Sequence, residues 1–208
     1  AKNYDDQKFW GYVSWKYGFQ NITLEKLQNY RQTVWNTYYK PVTLSSEMQL
    51  WVDDVTKDCT NVVEQLCALE AALQSFTYTT TPGDVPDDIT SPEDFLDYFI
   101  LEKKEGYCTY YATAFTLLAR SLGLPARYVQ GFCVPMMGKK KMDVTGGMAH
   151  AWCEVYFDGV GWIPYEPTAG YGQIRHTLWE ESDNPEYDYQ SMYDYYANRY
   201  KTEPATSE

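Results

Sequence analysis

The chain has 208 residues, of which 44% are hydrophobic, and it carries a formal net charge of −12 at neutral pH. This size allows one compact domain with a real core, or a core with a small helical annex. The acidic balance argues against a nucleic-acid partner, whose phosphates would be repelled, and no apolar run is long enough to span a membrane.

Three amphipathic helices are predicted in the first third of the chain. Apolar residues recur at helical spacing from Thr23 to Tyr38, with Thr23 as the cap. The pattern Ser46-x-x-Gln49 resembles a capping box that opens a second helix. Either Thr60 or Asn61 is expected to cap the third.

The middle of the chain changes from extended to helical character. Residues 76–81 are rich in β-branched and aromatic side chains and precede Pro82-Gly83, which predicts an extended segment ending in a turn. Ser91-Pro92-Glu93-Asp94 predicts a capped helix start, with that helix running to about Leu101. The most regular helical pattern covers Cys108 to Leu122.

From Ala126 onward the pattern predicts three strands: residues 127–135, 150–157 and 161–165, with a turn at Asp158-Gly159. Residues 180–208 contain eight acids and two basic residues, a net charge of −6, with six tyrosines and few aliphatic side chains. This composition favours a solvated linker, and the alternative is an aromatic strap packed on the domain.

The cysteines are too few and too widely spaced to indicate a disulfide scaffold or a metal site. There are five of them, without a C-x-x-C motif, and the chain has two histidines. Cys133 and Cys153 lie on neighbouring predicted strands and can face each other, but two reduced core thiols fit the pattern equally well. We expect no metal and no cofactor.

Three residues suggest thiol chemistry by their places in the predicted elements. Cys108 begins a helix, where free backbone amides and the positive end of the dipole stabilise a thiolate. His150, at a strand start, can act as its base, and Glu166, at the end of the next strand, can orient the imidazole. Each residue alone is more often structural, but all three together predict one site at a sheet edge.

The sequence blocks around these residues resemble the transglutaminase-like superfamily, especially bacterial membrane-associated members with an extracytoplasmic domain. The resemblance covers about Val55 to Gly170. It is carried by Phe76-Thr77-Tyr78, Asp94-Phe95-Leu96, Gly106-Tyr107-Cys108, Leu117 to Phe132, Ala149 to Tyr156, and Gly161 to Thr168.

The resemblance implies an α+β, papain-like core in which the nucleophile helix packs on an antiparallel sheet. It also implies a triad of Cys108, His150 and position 166, where Glu166 stands in place of the usual Asp. Tyr107 and Trp152, which neighbour the first two, are the candidate substrate-binding residues.

The predicted organisation is a helical annex (1–75), a catalytic core (76–179) and the acidic tail (180–208). The implied reaction is acyl transfer from a carboxamide of a protein or peptide, with an amine or water as acceptor. Because the resemblance is to envelope-anchored proteins, an extracytoplasmic location and a cell-envelope substrate are expected. Separately, the start at Ala1-Lys2-Asn3, without an initiator Met or a signal-peptide layout, is expected for a trimmed or processed piece of a longer protein. The rival interpretation is a non-catalytic peptide-binding module with the same fold.

Overall fold

The computed structural model describes residues 23–134 and 143–171. The helices are α1 (Leu24–Tyr38), α2 (Ser46–Thr56), α3 (Val62–Gln74), α4 (Pro92–Asp97) and α5 (Cys108–Ser121). The strands are β1 (Thr77–Tyr78), β2 (Glu105–Gly106), β3 (Ala126–Phe132), β4 (Ala149–Phe157) and β5 (Gly161–Tyr165). The acidic tail predicted over 180–208 lies outside the described residues.

Side-chain caps set the starts of most helices. The hydroxyl of Thr23 accepts a hydrogen bond from the amide of Lys26, and the side chain of Asn61 accepts bonds from two amides at the start of α3. The capping box predicted for α4 is present, with Ser91 and Asp94 as its partners. The expectation for α2 was wrong by one residue: Ser45, and not Ser46, is the cap, because the hydroxyl of Ser45 accepts from the third helical amide.

The sheet that carries the predicted site has the order β3-β4-β5 and is antiparallel throughout. Gly131 lies opposite His150 across β3 and β4, and Cys153 lies opposite Tyr165 across β4 and β5. A separate parallel pair of two-residue strands, β1 and β2, joins the end of α3 to the start of α5. The sheet and the helices together confirm the predicted α+β class.

Helix α5 lies at the centre of the core and is buried on nearly every side. One face packs on β3 and β4, and its Phe115 also stacks on Tyr165 of β5 at 5.2 Å between ring centroids. The opposite side packs on α3 and α4, so apolar side chains of α2 and α3 belong to the same core as those of the sheet. These helical residues are Met48, Val52, Val62, Leu66, Leu69 and Leu73.

The far side of the sheet is covered by α1 through aromatic and polar contacts. Tyr38 meets Trp162 edge-on at 5.0 Å, and the indole of Trp162 donates a 2.8 Å hydrogen bond to the hydroxyl of Tyr30. Arg31 forms a 2.8 Å ion pair with Asp158, in the turn between β4 and β5. The sheet therefore lies between α1 and α5. Within the described ranges, no helix combines the length and apolar character needed to cross a bilayer.

Candidate active site

Cys108 is the first residue of α5, as the sequence predicts, and its side chain is partly exposed. The cap residue Tyr107 has extended backbone and makes no side-chain hydrogen bond to the helix start. Because the amides of the first turn point out of a helix end, they provide partial positive charge beside the Cys108 thiol.

Close packing in front of the helix fixes where α5 begins. A Cβ atom at Gly106 would lie 2.8 Å from the ring of Tyr110, so only glycine lets β2 pass this close to the helix. The hydroxyl of Tyr111 donates a 2.8 Å hydrogen bond to the carbonyl of Thr77 on β1. The two short strands thus hold the N-terminal turn of α5, and Cys108 with it.

His150 and Glu166 come together at the other side of the site. Nε2 of His150 lies 2.5 Å from Oε2 of Glu166, and both side chains are buried. His150 is the second residue of β4, whereas Glu166 directly follows β5 on the adjacent strand. The predicted pairing of this imidazole with this carboxyl group is therefore present, although their catalytic role stays a prediction.

The pairing determines which imidazole nitrogen remains available. A carboxylate at Nε2 favours the tautomer with the proton on that nitrogen, which leaves a lone pair on Nδ1. Nδ1 is buried and has no hydrogen-bond partner among the described residues. It is therefore the nitrogen that can take a proton from a thiol or return one to a leaving group.

Four hydrogen bonds besides the one to His150 hold Glu166 and the turn after it. Its second carboxyl oxygen accepts from the amide of Thr168 at 3.0 Å, and the amide of Tyr171 donates to the carbonyl of Thr168 at 3.2 Å. The backbone amide of Glu166 donates to Oε1 of Glu70 at 2.6 Å, and its carbonyl accepts from Nε2 of Gln74 at 2.7 Å. Both of these last partners lie on α3.

Glu70 is a buried carboxyl group directly behind the candidate site. Burial raises the pKa of Glu70 to about 7, the hydrogen bond from the Glu166 amide lowers it, and the neighbouring Glu166 carboxyl group raises it again. At neutral pH this carboxyl group is therefore close to half-ionised.

Tyr171 lies over the imidazole of His150. Its ring stacks on that of His150, with 4.0 Å between centroids and 15° between planes. Burial raises the pKa of Tyr171, and the charges of Tyr78, Cys108 and Cys133 raise it further. The tyrosine is thus in electrostatic range of the Cys108 thiol while it packs on His150.

The candidate substrate-binding residues both lie beside the site. The ring of Tyr107 is 5.0 Å from that of Tyr110 at the start of α5. The indole of Trp152 lies 6.4 Å from the imidazole of His150 and covers the backbone of Gly131, where a Cβ atom would come within 2.6 Å of it. Their contact with a substrate stays a prediction.

The other cysteines are free and differ from Cys108 in their surroundings. Cys153 is fully buried against α5, and burial raises its pKa to about 12. Burial likewise raises the pKa of Cys67 to about 11, with smaller contributions from Glu70, Cys59 and Glu64. Cys133 and Cys153 are both free, the first exposed and the second buried, so the two are neither a disulfide nor a pair of core thiols. In the part of the chain that the structure describes, no cluster of His, Cys, Asp or Glu side chains fits a metal ion.

Comparison with known families decides the assignment of this fold. A family model described as the transglutaminase-like superfamily matches residues 49–167. The chain belongs to the transglutaminase-like superfamily. The match includes Cys108, His150 and Glu166 and, on α3, Glu70 and Gln74.

Relatives of this transglutaminase-like chain are bacterial proteins of much greater length. It is 36% identical over 139 residues to the uncharacterized protein YebA of Bacillus subtilis (strain 168), covering 63% of this chain and 18% of YebA. It is 31% identical over 109 residues to a protein-glutamine gamma-glutamyltransferase of Pseudomonas aeruginosa, covering 49% of this chain and 15% of that protein. The chain thus matches less than a fifth of either relative.

A solved structure shares the fold. The periplasmic domain of TgpA from Pseudomonas aeruginosa superimposes with a TM-score of 0.51 at 23% sequence identity, over 66% of this chain and 49% of that one. The likeness confirms the predicted transglutaminase-like architecture.

Glu70, Gln74 and Tyr171 were not among the residues predicted from the sequence. One signal for Glu70 was present: it falls among the apolar positions Leu66, Leu69 and Leu73, and an acid on a buried helical stripe needs a polar partner. That the partner is the backbone of Glu166, 96 residues away, could not be derived from local pattern.

Proposed function

We propose that the chain catalyses thiol-dependent acyl transfer from a carboxamide, with Cys108 as nucleophile, His150 as acid and base, and Glu166 as the orienting carboxylate. The observation that supports this most directly is the 2.5 Å contact between Glu166 and Nε2 of His150, which leaves Nδ1 for the thiol. The family match and the helix-start position of Cys108 support the same assignment.

In the first half of the reaction, the Cys108 thiol gives its proton to Nδ1 of His150 and the sulfur attacks the carboxamide carbon. The carbon–sulfur bond forms while negative charge moves to the carbonyl oxygen, which the amides at the start of α5 can stabilise. The imidazolium then donates its proton to the leaving nitrogen, and the carbon–nitrogen bond breaks. The products are a thioester on Cys108 and ammonia or an amine.

In the second half, an acceptor attacks the thioester carbon and gives a proton to His150. The carbon–sulfur bond then breaks, and the imidazolium returns the proton to the departing Cys108 sulfur. A primary amine as acceptor yields a new amide and therefore a cross-link, whereas water yields a carboxylic acid. Throughout, Glu166 stabilises the imidazolium and keeps its proton on Nε2. No step needs a metal or a cofactor.

The proposed substrate is a protein or peptide in the cell envelope, and the proposed location is extracytoplasmic. The location is supported by the likeness to a periplasmic domain. The bacterial relative named as a protein-glutamine gamma-glutamyltransferase favours a glutamine side chain as the acyl donor.

The test compares Cys108 with the exposed thiol of Cys133 in the same molecule. The 208-residue chain is treated with iodoacetamide near neutral pH, and peptide mapping by mass spectrometry follows each cysteine. If His150 activates Cys108, we expect the Cys108 thiol to react on the order of 10-fold or more faster than the Cys133 thiol. The variant His150→Ala should remove this difference in rate. Equal rates at the two thiols would instead favour the non-catalytic peptide-binding module.

The acceptor is identified in a second assay. A glutamine-containing peptide library is incubated with a fluorescent primary amine, and product masses distinguish amine incorporation from hydrolysis. Cys108→Ser is the matched control, because it keeps the shape of the nucleophile and lowers its reactivity.

A further inference from the structure

Two side chains on α3 hold the backbone on both sides of the orienting carboxylate. Oε1 of Glu70 accepts from the amide of Glu166 at 2.6 Å, and Nε2 of Gln74 donates to the Glu166 carbonyl at 2.7 Å. Glu70 and Gln74 are four residues apart, so they lie on the same face of the helix one turn from each other. Helix α3 therefore binds both backbone groups of Glu166, its N–H donor and its carbonyl acceptor.

These two backbone contacts matter because the side chain of Glu166 is long. A glutamate has three rotatable bonds between backbone and carboxylate, so small backbone shifts move its oxygens further than those of a shorter side chain. In Glu166 one oxygen bonds to Thr168 and the other to His150, which fixes the end of the side chain. The contacts from α3 fix its beginning.

We propose that Glu70 and Gln74 are positioning residues, which fix the backbone of Glu166 and so direct its carboxylate at Nε2 of His150. The inference rests on the proposed function, in which that contact supports Cys108. Burial supports this role: Glu70 is 5% exposed, and a carboxyl group beside an apolar core costs stability unless hydrogen bonds compensate for its lost hydration.

The experiment measures the rate of Cys108 alkylation against pH in variants of the 208-residue chain. We expect Glu70→Ala and Gln74→Leu to slow alkylation near neutral pH by roughly 10-fold to 100-fold, because a displacement of about 1 Å at a catalytic group has an effect of this size. The profile should move to higher pH, as it also should in Glu166→Gln. Glu70→Gln keeps an acceptor oxygen for the Glu166 amide and should restore most of the rate.

A double-mutant cycle tests whether the α3 residues act through Glu166. Once Glu166→Gln has removed the carboxylate, the further change Glu70→Ala should alter the rate by less than about twofold, whereas independent effects would multiply. Glu64→Ala is the control, since it removes a carboxyl group on the same helix whose hydrogen bonds to Thr60 lie at the start of that helix. The melting temperature of every variant separates loss of fold from loss of alignment.

The outcomes distinguish the two proposals. If His150→Ala and Glu166→Gln both slow Cys108 while Glu70→Ala and Gln74→Leu retain the wild-type profile in a folded protein, the positioning role is wrong and the proposed function stands. Multiplicative effects in the cycle would equally overturn positioning. If Cys108 shows no activation in the wild type, the proposed function itself fails.

Discussion

At the scale of single residues, the carboxylate of Glu166 decides how His150 can act. Because Oε2 of Glu166 bonds to Nε2, one tautomer of the imidazole is favoured, and Nδ1 is left without a hydrogen-bond partner among the described residues. The ring is held in place from a second side by Tyr171, which stacks on it at 4.0 Å. A hydrogen bond in the ring plane and a stacked aromatic ring together leave His150 little freedom to rotate.

The substitution Glu166→Gln tests this arrangement with almost no change of shape. It removes the negative charge that stabilises the imidazolium and allows the amide to favour the other tautomer. Loss of the equivalent carboxylate in a Ser-His-Asp triad costs about 10⁴ in turnover, and a thiol depends less on its base, so we expect a loss on the order of 10-fold to 10³-fold. Turnover of a glutamine peptide and the pH profile of Cys108 alkylation measure it.

The matched variant Glu166→Asp keeps the charge and shortens the reach to His150. We expect it to retain more activity than Glu166→Gln, because the negative charge that stabilises the imidazolium is kept. Identical pH profiles and turnover in wild type, Gln and Asp would show that Glu166 plays no part.

The same residues show what a sequence can and cannot reveal about a site. Cys108, His150 and Glu166 were found because each lies in a short block whose spacing marks an element end. Gln74 and Tyr171 lie in no such block, and they act through contacts that exist only after α3 and the loop beyond β5 have packed.

At the scale of elements, local chemistry predicted helices better than it predicted pairing. Caps such as Asn61 and Ser91 act within a few residues, so the sequence contains the whole interaction. The parallel pairing of Thr77 with Glu105 joins residues 28 apart in two-residue strands, which are too short for an alternating pattern. The helix from Pro92 was also expected to end near Leu101, but it continues through a π-helical turn to Lys103.

The buried carboxyl group on α3 should make the stability of the protein depend on pH. The pKa of Glu70 is raised from 4.5 to about 7, so between these values the native state binds more protons than the unfolded state does. The free energy of unfolding should therefore fall as pH rises from about 4.5 to about 7 and then level off. Below pH 4.5 the contribution of Glu70 is fully present.

Glu70→Gln isolates this contribution, because the amide does not titrate and every other group is unchanged. The change in pKa corresponds to about 3 kcal/mol over this range. Thermal unfolding followed by circular dichroism should therefore show the melting temperature of the variant rising relative to that of the wild type by about 10 °C between pH 4.5 and 7.5. Glu47→Gln, which removes an exposed carboxylate on α2, is the control for loss of a charge. If the difference in melting temperature between Glu70→Gln and the wild type stays constant across this pH range, then the pKa of Glu70 is not raised by burial.

At the scale of the whole molecule, the helices before residue 76 have two different relations to the sheet. Leu66, Leu69 and Leu73 of α3 belong to the same apolar core as α5, and the family match begins at residue 49. In contrast, α1 covers the opposite face of the sheet through Tyr30, Tyr38 and an ion pair from Arg31. The sequence predicted three helices here, but helical periodicity does not specify which surface each helix covers.

This difference predicts how the chain responds to shortening from its N-terminus. A chain starting at residue 40 lacks α1 and loses the contacts of Trp162 with Tyr30 and Tyr38, together with the ion pair to Asp158. A loss of about 3 kcal/mol, from aromatic contacts of about 1 kcal/mol each and one partly buried ion pair, lowers the melting temperature by about 10 °C. The core and the candidate site remain, so selective alkylation of Cys108 should persist.

A chain starting at residue 76, the boundary of the predicted catalytic core, should not fold cooperatively. It lacks the apolar side chains of α2 and α3 and both α3 contacts to Glu166. Removing one buried leucine costs about 2–5 kcal/mol, so losing three or more exceeds the whole stability of a typical domain. Circular dichroism and the Cys108-to-Cys133 alkylation ratio compare the two fragments. A cooperative unfolding transition in the fragment from residue 76 would show that α2 and α3 form an independent annex. The hydrogen bonds from α3 to the backbone of Glu166 would then be dispensable for folding.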